Sequence, residues 1–599
     1  MTAGLLQRVE RVHASLAGTL LAELDAHGHW TGALSSSALS TATAVTALCA
    51  ADPQTHVTLI HQGLRWLSDH ANPDGGWGDT PRSASNLSTT ALAWAAFGIA
   101  GADALFSPTV CAATGYLESQ AGSLDHLVPA IERRYGKDRT FSVPITMALA
   151  LSGRLGPNGW RRVRPLPFEL ALVPQRLMGV LRLPVVSYAL PALIAIGQVI
   201  HHHAPRPHPL RTLARQPALA QLARLQPANG GFLEATPLTS FVTMSLAGMG
   251  LAHHVVAQRG LAFLKAGVRA DGSWPIDTNL ATWLTTLAVK ALSLHHNPLT
   301  SDQRRILASW ILGQQHRIRH PFTGAAPGGW AWTDLPGGVP DADDTAGALL
   351  ALPHLAPITP ETVGAATAGV TWLLGVQNAD GGIPTFCRGW GTLPFDRSTP
   401  DLTAHALRAW ATWKPRLAPA LGRRIHRATH RAMRYLASSQ HRDGSWVPLW
   451  FGNEQAPRQA NPVLGTALVL IALNTLETLG APTDSTSRSR AAEFLIRAQS
   501  TPGHWGGDAD VPPSVEETAL AVEALAGFPQ HAVRFEHGVV ALLDLIESTP
   551  APPPAPIGLY FAQLWYYEKL YPLLFATSAL GRVLHSATTR SPTARQSTP

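Results

Sequence analysis

Cysteine is scarce in this chain: 599 residues hold three, Cys49, Cys111 and Cys387. No CxxC pair occurs, which argues against a disulfide framework and a cysteine-rich zinc site and favours a reducing compartment. Charge is scarce too. Charged residues make up 14% and apolar residues 46%, a balance that suits buried helices plus contact with lipid or an oily ligand. Strand-type alternation is nearly absent, so the chain reads as all-α. The first residues, MTAGLLQRVERVHASL, lack the basic end, apolar stretch and cleavage site of a signal peptide.

The charge that is present leans basic, with a formal net of +7. Its Lys and Arg residues are scattered and no nucleic-acid module is visible. The balance therefore points to an anionic membrane surface rather than to nucleic acid. One uncharged stretch, Leu183 to Ile200 (LPVVSYALPALIAIGQVI), just reaches spanning length and is interrupted by Pro184 and Pro191. Arg161, Arg162, Arg164, Arg176 and Arg182 precede it, and His201-His202-His203 follow. Three readings stand for it: a buried core helix, an in-plane membrane patch, or a true span.

The chain is organised by a repeat. A helix ends in an aromatic-Leu pair, a Gln or Asn follows, then a turn of the type Asp-Gly-x-Trp, then a helix rich in Ala, Leu and Thr. Clear copies end at Trp77, Trp274, Ile383 (where Trp is missing), Trp446 and Trp505; weaker ones end at Trp30, Trp160, Phe232 and Trp330. From Trp274 onward the period is roughly 50–60 residues, which means a helical repeat array. Periodicity leaves open whether the array is a solenoid or closes into rings. The final SATTRSPTARQSTP reads as a disordered tail.

Against this background stands GGVPDADDTAGALLAL. Asp341, Asp343 and Asp344 lie directly ahead of an apolar helical run. Carboxylates this close cannot all ionise cheaply, so one is pushed toward staying protonated and becomes a proton donor. A solvated helix N-terminus would use the same residues. A calcium loop fails, because Ala346 stands where the EF-hand needs Gly and Leu352 where it needs Glu. The spacing also differs from the DDxxD magnesium cluster of class I terpene synthases. A second motif, STPDLTAHALRAW, places Asp401 and His405 one helical turn apart.

The repeats resemble the QW motifs of squalene-hopene and oxidosqualene cyclases, and DADDTA resembles the acid motif of the bacterial members. The resemblance runs from about Trp30 to the helix around Pro572. It implies two α/α barrels, one inserted in the other's sequence. Residues 1–20 would pack with the catalytic barrel, 21–272 would form the second barrel with a membrane-contact region, 273–587 the catalytic barrel, and 588–599 the tail. It implies a cavity between barrels, monotopic attachment at the cytoplasmic side of a membrane, and often a homodimer. No metal or redox cofactor is implied.

By that resemblance Asp343 is the proton donor, flanked by Asp341 and Asp344, and His405, oriented by Asp401, helps recharge it. The DxDD form points to an unoxidised polyene such as squalene, since an alkene is less basic than an epoxide. A migrating cation needs aromatic faces, which stabilise it without reacting. Trp332, Phe386 and Trp450 match cavity aromatics of the family. So do Tyr560 and Tyr567, expected on one helical face. Leu564 stands where the family has Tyr. The loop after Trp450 is longer than in typical hopene cyclases, which leaves the product open. Two other readings remain: a zinc prenyltransferase β-subunit, which would need an Asp/Cys/His set that Cys387 does not supply, and a non-catalytic isoprenoid-binding toroid.

Overall fold

The computed structural model describes residues 1–136, 138–173, 190–206, 209–321, 323–388, 394–549, 553–555, 557–559 and 564–590. The copies ending at Trp77, Trp446 and Trp505 close on the same bonds. The indole N–H donates to a carbonyl near the end of the preceding helix: Trp77 to Leu67 (2.8 Å), Trp446 to Leu436 (2.9 Å) and Trp505 to Leu495 (2.7 Å). The backbone N–H of the same residue donates to a threonine hydroxyl in the next helix, as in Trp77–Thr90, Trp330–Thr345, Trp446–Thr466 and Trp505–Thr518. Ile383, lacking an indole, keeps the backbone half of the latch through Thr403. The glutamine amide ties the turn to the following outer helix: Gln377 donates to Gly381 (2.8 Å) and Ala428 (3.0 Å). These bonds satisfy helix-end groups that would otherwise be buried unpaired. Gly444 shows why the turn needs glycine: its φ is +94°, and a Cβ there would collide with the carbonyl of Arg490.

Stacking the units gives two closed rings. The first has the inner helices Ala281–Ser293, Ala342–Leu355, Pro400–Trp413, Pro462–Thr478, Val515–Leu525 and Tyr571–Arg590, each packed on the next and the last on the first. The second runs through Ala38–Ala51, Leu87–Ile99, Arg139–Leu151, Leu190–His203 and Thr236–Ala247, and the last again packs on the first. The protein is therefore all-α, with two α/α toroids. The strands among the described residues are two short sets: Ser36–Ser37 with Trp274–Pro275, and Phe451–Asn453 with Ile557–Leu559 and Leu564–Tyr566, all antiparallel.

The insertion of one ring in the other is visible in two exchanged latches. Trp30 donates its backbone N–H to Thr285 (3.1 Å), in the first ring, although its own chain continues into the second. Trp274 donates to Thr41 (3.0 Å), in the second ring, although its chain continues into the first. The strands Ser36–Ser37 and Trp274–Pro275 pair where the two chain segments cross over. The apolar cores divide accordingly. One holds residues of 9–30 and 284–584, the other residues of 38–274 plus Val339.

The apolar stretch at Leu183–Ile200 splits. Residues 183–189 lie outside the described residues. From Leu190 the chain is an inner helix of the second ring, with Leu190, Ile194, Ile196 and Val199 buried. Among the described residues one helix, Pro457–Thr478, is long and apolar enough to cross a membrane, and it is a mostly buried inner helix of the first ring. The tail is helical as far as Arg590, so its first residues are not the irregular segment their composition suggests; residues 591–599 lie outside the described residues.

Candidate active site

Asp341 is the N-cap of the inner helix Ala342–Leu355. Its carboxylate accepts the N–H of Asp344 at 2.8 Å, and its own N–H pairs with the carbonyl of Trp330. The acidic segment is thus pinned between a repeat turn and a helix start. The Asp341 and Asp344 side chains are buried and within hydrogen-bonding reach of each other. Burial, reinforced by the neighbouring carboxylates, raises both above the ordinary carboxylate range. The pair therefore favours holding a proton at neutral pH.

Asp343 differs from its neighbours. It lines the central cavity, and its Oδ1 lies 2.6 Å from His405 Nδ1, on the adjacent inner helix Pro400–Trp413. The Asp343 side chain is 18% exposed, enough to meet a ligand in the cavity, and His405 stands behind it. The ring of Trp283 meets His405 edge-on, with centroids 6.4 Å apart. Asp401 does not orient His405 by a hydrogen bond, contrary to expectation. Its carboxylate takes the hydroxyl of Thr399, and burial, with the Asp343 charge adding, pushes it up to about 6. The reason is local: Asp401 sits in the first helical turn, beside the preceding Thr399.

The cavity has a volume of about 350 Å³, within the range of small-molecule sites. It lies between the rings: Leu39, Leu92, Ile145 and Phe241 come from the second, Asp343, Leu402, Trp283 and Tyr571 from the first. Trp332, Phe386 and Trp450 all line it. Phe386 stands edge-on to Trp332 (6.3 Å) and to Trp450 (5.8 Å), and Phe395 joins the same cluster. Among the described lining residues there is no Lys or Arg.

Tyr567 is not a cavity residue. The segment holding it is a strand edge rather than a helix, so neighbours alternate: Leu564 and Tyr566 face the cavity, whereas the Tyr567 ring lies under the Arg82 guanidinium (5.0 Å). Tyr560 lies outside the described residues. The sequence reading missed Trp283, Phe395, Phe451, Tyr566, Tyr571 and Asp277, which also line the cavity. Trp283 had a signal. It stands two residues before the latch Thr285, as Asp343 stands two before Thr345.

Two α/α toroids around an apolar cavity with an acidic helix start define the architecture of class II terpene cyclases. The squalene-hopene cyclase N-terminal domain model matches residues 14–183 and the C-terminal domain model residues 280–530. The chain belongs to the squalene-hopene cyclase family. The terpene cyclase-glycosyl transferase fusion protein fsoA of Humicola fuscoatra is 28% identical over 63% of this chain, and the match spans only 31% of that longer protein. The squalene hopane cyclase afumA of Aspergillus fumigatus is 25% identical over 81% of this chain and 76% of its own length. In fold, the ent-copalyl diphosphate synthase of Streptomyces platensis superposes with a TM-score of 0.57, covering 97% of this chain and 99% of that one at 16% identity.

Proposed function

We propose that the protein is a class II cyclase that protonates a terminal alkene of squalene, or of a related linear polyprenoid, and cyclises it to a polycyclic triterpene of the hopene or hopanol type. The observation that carries this is Asp343 opening onto an apolar cavity with one oxygen held by His405 at 2.6 Å. The His405 bond leaves the second Asp343 oxygen to carry the proton that is transferred. The buried Asp341–Asp344 pair favours the protonated state, which limits negative charge beside the acid. Proton transfer to the alkene leaves Asp343 as carboxylate and makes a tertiary cation. Successive double bonds attack that cation as it moves past Trp332, Phe386 and Trp450, whose rings stabilise it without forming a bond. An apolar wall without lysine or arginine among its described residues supports an uncharged chain over a diphosphate ester.

The same reading includes peripheral membrane attachment, the source of so insoluble a substrate. Leu170 and Leu172, on a 3-10 turn, and Leu210 and Leu213, on the helix packed against it, are 43%, 42%, 62% and 74% exposed. Such a cluster suits a lipid surface. The test is incubation of detergent-solubilised protein with squalene followed by mass spectrometry. An isomeric hydrocarbon or its hydrate is expected, at a rate indifferent to EDTA. Squalene recovered unchanged, or turnover abolished by EDTA, would rule the reading out.

A further inference from the structure

Asp277 is a carboxyl in a place where a cation cyclase tolerates few. It lines the cavity, on the loop after the strand Trp274–Pro275, and no step of the proposed reaction uses it. Its Oδ2 accepts the indole N–H of Trp332 at 3.1 Å, and its Oδ1 accepts the N–H of Thr278 at 2.7 Å. An ionised carboxylate here would capture a passing cation. Burial first, and the nearby Glu234 second, raise Asp277 well above the ordinary carboxylate range, which favours the less reactive neutral form while the carboxyl still accepts the indole bond.

The two segments that carry Asp277 and Trp332 are fastened by other groups. Thr333 donates its hydroxyl to Asn279 (2.6 Å), and the N–H of Thr282 donates to the carbonyl of Trp332 (3.0 Å). The buried Glu234 accepts from the Thr278 hydroxyl (3.1 Å) on one segment and the Gly337 N–H (2.7 Å) on the other. The backbone register does not depend on the Asp277 side chain. What that side chain adds is a fixed orientation for the one polar atom of the indole. A tryptophan without this bond would be free to turn its ring against Phe386, its edge-on neighbour at 6.3 Å.

We propose that Asp277 is a positioning residue: its carboxyl clamps the Trp332 indole against the path of the migrating cation and so decides how far cyclisation runs. This rests on the cyclase reading above. Asp277→Leu should raise the share of incompletely cyclised products by roughly two- to ten-fold, the size of a displaced cation–π contact, with little change in KM. Asp277→Asn, whose amide oxygen still accepts, should restore the parent profile. Trp332→Phe should shift products in the same direction as Asp277→Leu, and adding Asp277→Leu to it should do nothing more. A parent-like profile for Asp277→Leu, or additive effects in the double variant, would overturn the proposal. Asp277→Ser replaces the leucine variant if that protein does not accumulate.

A second readout separates this proposal from the cyclase reading. In ¹⁵N-tryptophan protein, the Trp332 indole N–H resonance is identified by its loss in Trp332→Phe. It should move upfield in Asp277→Leu and stay near its parent position in Asp277→Asn. An unmoved resonance in Asp277→Leu refutes the clamp even if the enzyme cyclises squalene. A moved resonance in a protein that cyclises no polyprenoid upholds the clamp and refutes the substrate assignment.

Discussion

Two inner helices of the first ring begin alike and end up with different surroundings. One starts Asp341-Ala342-Asp343-Asp344-Thr345, the other Ser514-Val515-Glu516-Glu517-Thr518. In both, the threonine holds the N–H of the repeat tryptophan. In both, two carboxyls are buried and raised by that burial: Asp341 and Asp344 in one, Glu517 and Glu516, the latter to about 7, in the other. Each glutamate has one oxygen without a hydrogen-bond partner. A buried acidic pair at a helix start is thus something the scaffold can hold without chemistry. Glu516 accepts the N–H of Ala555 (2.8 Å), and Glu517 accepts the side-chain amides of Asn453 (3.1 Å) and Asn461 (3.0 Å). These bonds fasten loops. Asp343 instead opens on an apolar cavity and is bonded to a histidine. The surroundings separate the acid from the fastener.

The contrast can be broken by substitution. Asp343→Asn should lower product formation by about 10³-fold or more, while Glu516→Gln keeps it within about two-fold, both measured per folded enzyme. A similar loss in both would erase the distinction. Next in size is His405→Phe, expected to cost about 10²-fold in steady-state turnover, read by mass spectrometry of product over time. Glu517→Ala should act on stability. It strands two buried amides, at about 1–3 kcal/mol for each, and should lower Tm without changing the product.

The smallest effect is one of pH. Asp344, Asp401 and Glu516 all have folded values above those of the unfolded chain, about 4. Between the unfolded and folded values the native state binds more protons, so their contribution to stability is complete in acid and is lost as pH rises. Asp344→Asn and Glu516→Gln remove this dependence. Each should melt about 2 °C or more above the parent at pH 8, with the gap closing toward pH 4 in thermal scans. A gap that widens in acid would mean the carboxyls are ionised in the folded protein.

Much of the scaffold was legible in the sequence because each repeat is a local device. Its indole, glutamine and glycine lie within one turn and one helix, and their spacing writes the fold directly. Asp343 and His405 were legible for the same reason, since each occupies a fixed place in a helical motif. Ring closure was not legible, because it joins helices hundreds of residues apart. Tyr566 and Tyr571 were missed, and Tyr567 placed in the cavity, because a three-residue strand offers too little alternation to distinguish it from a helix. Asp277 gave no sign at all: its partner Trp332 is 55 residues away.

The exchanged latches of Trp30 and Trp274 bear on the order in which the chain assembles. The second ring is contiguous, so it can form as soon as its last helix has emerged during synthesis. The first ring cannot. Its outer helix Ala3–Ala22 is made before the second ring, yet packs against Tyr571–Arg590, made after it. Until that partner is made the helix carries an uncovered apolar side, including Val9, Val12 and Leu20. Such late, long-range closure is slow and prone to aggregation. Mutations at Trp30 or Thr285 should therefore show first as lost yield rather than as lost turnover.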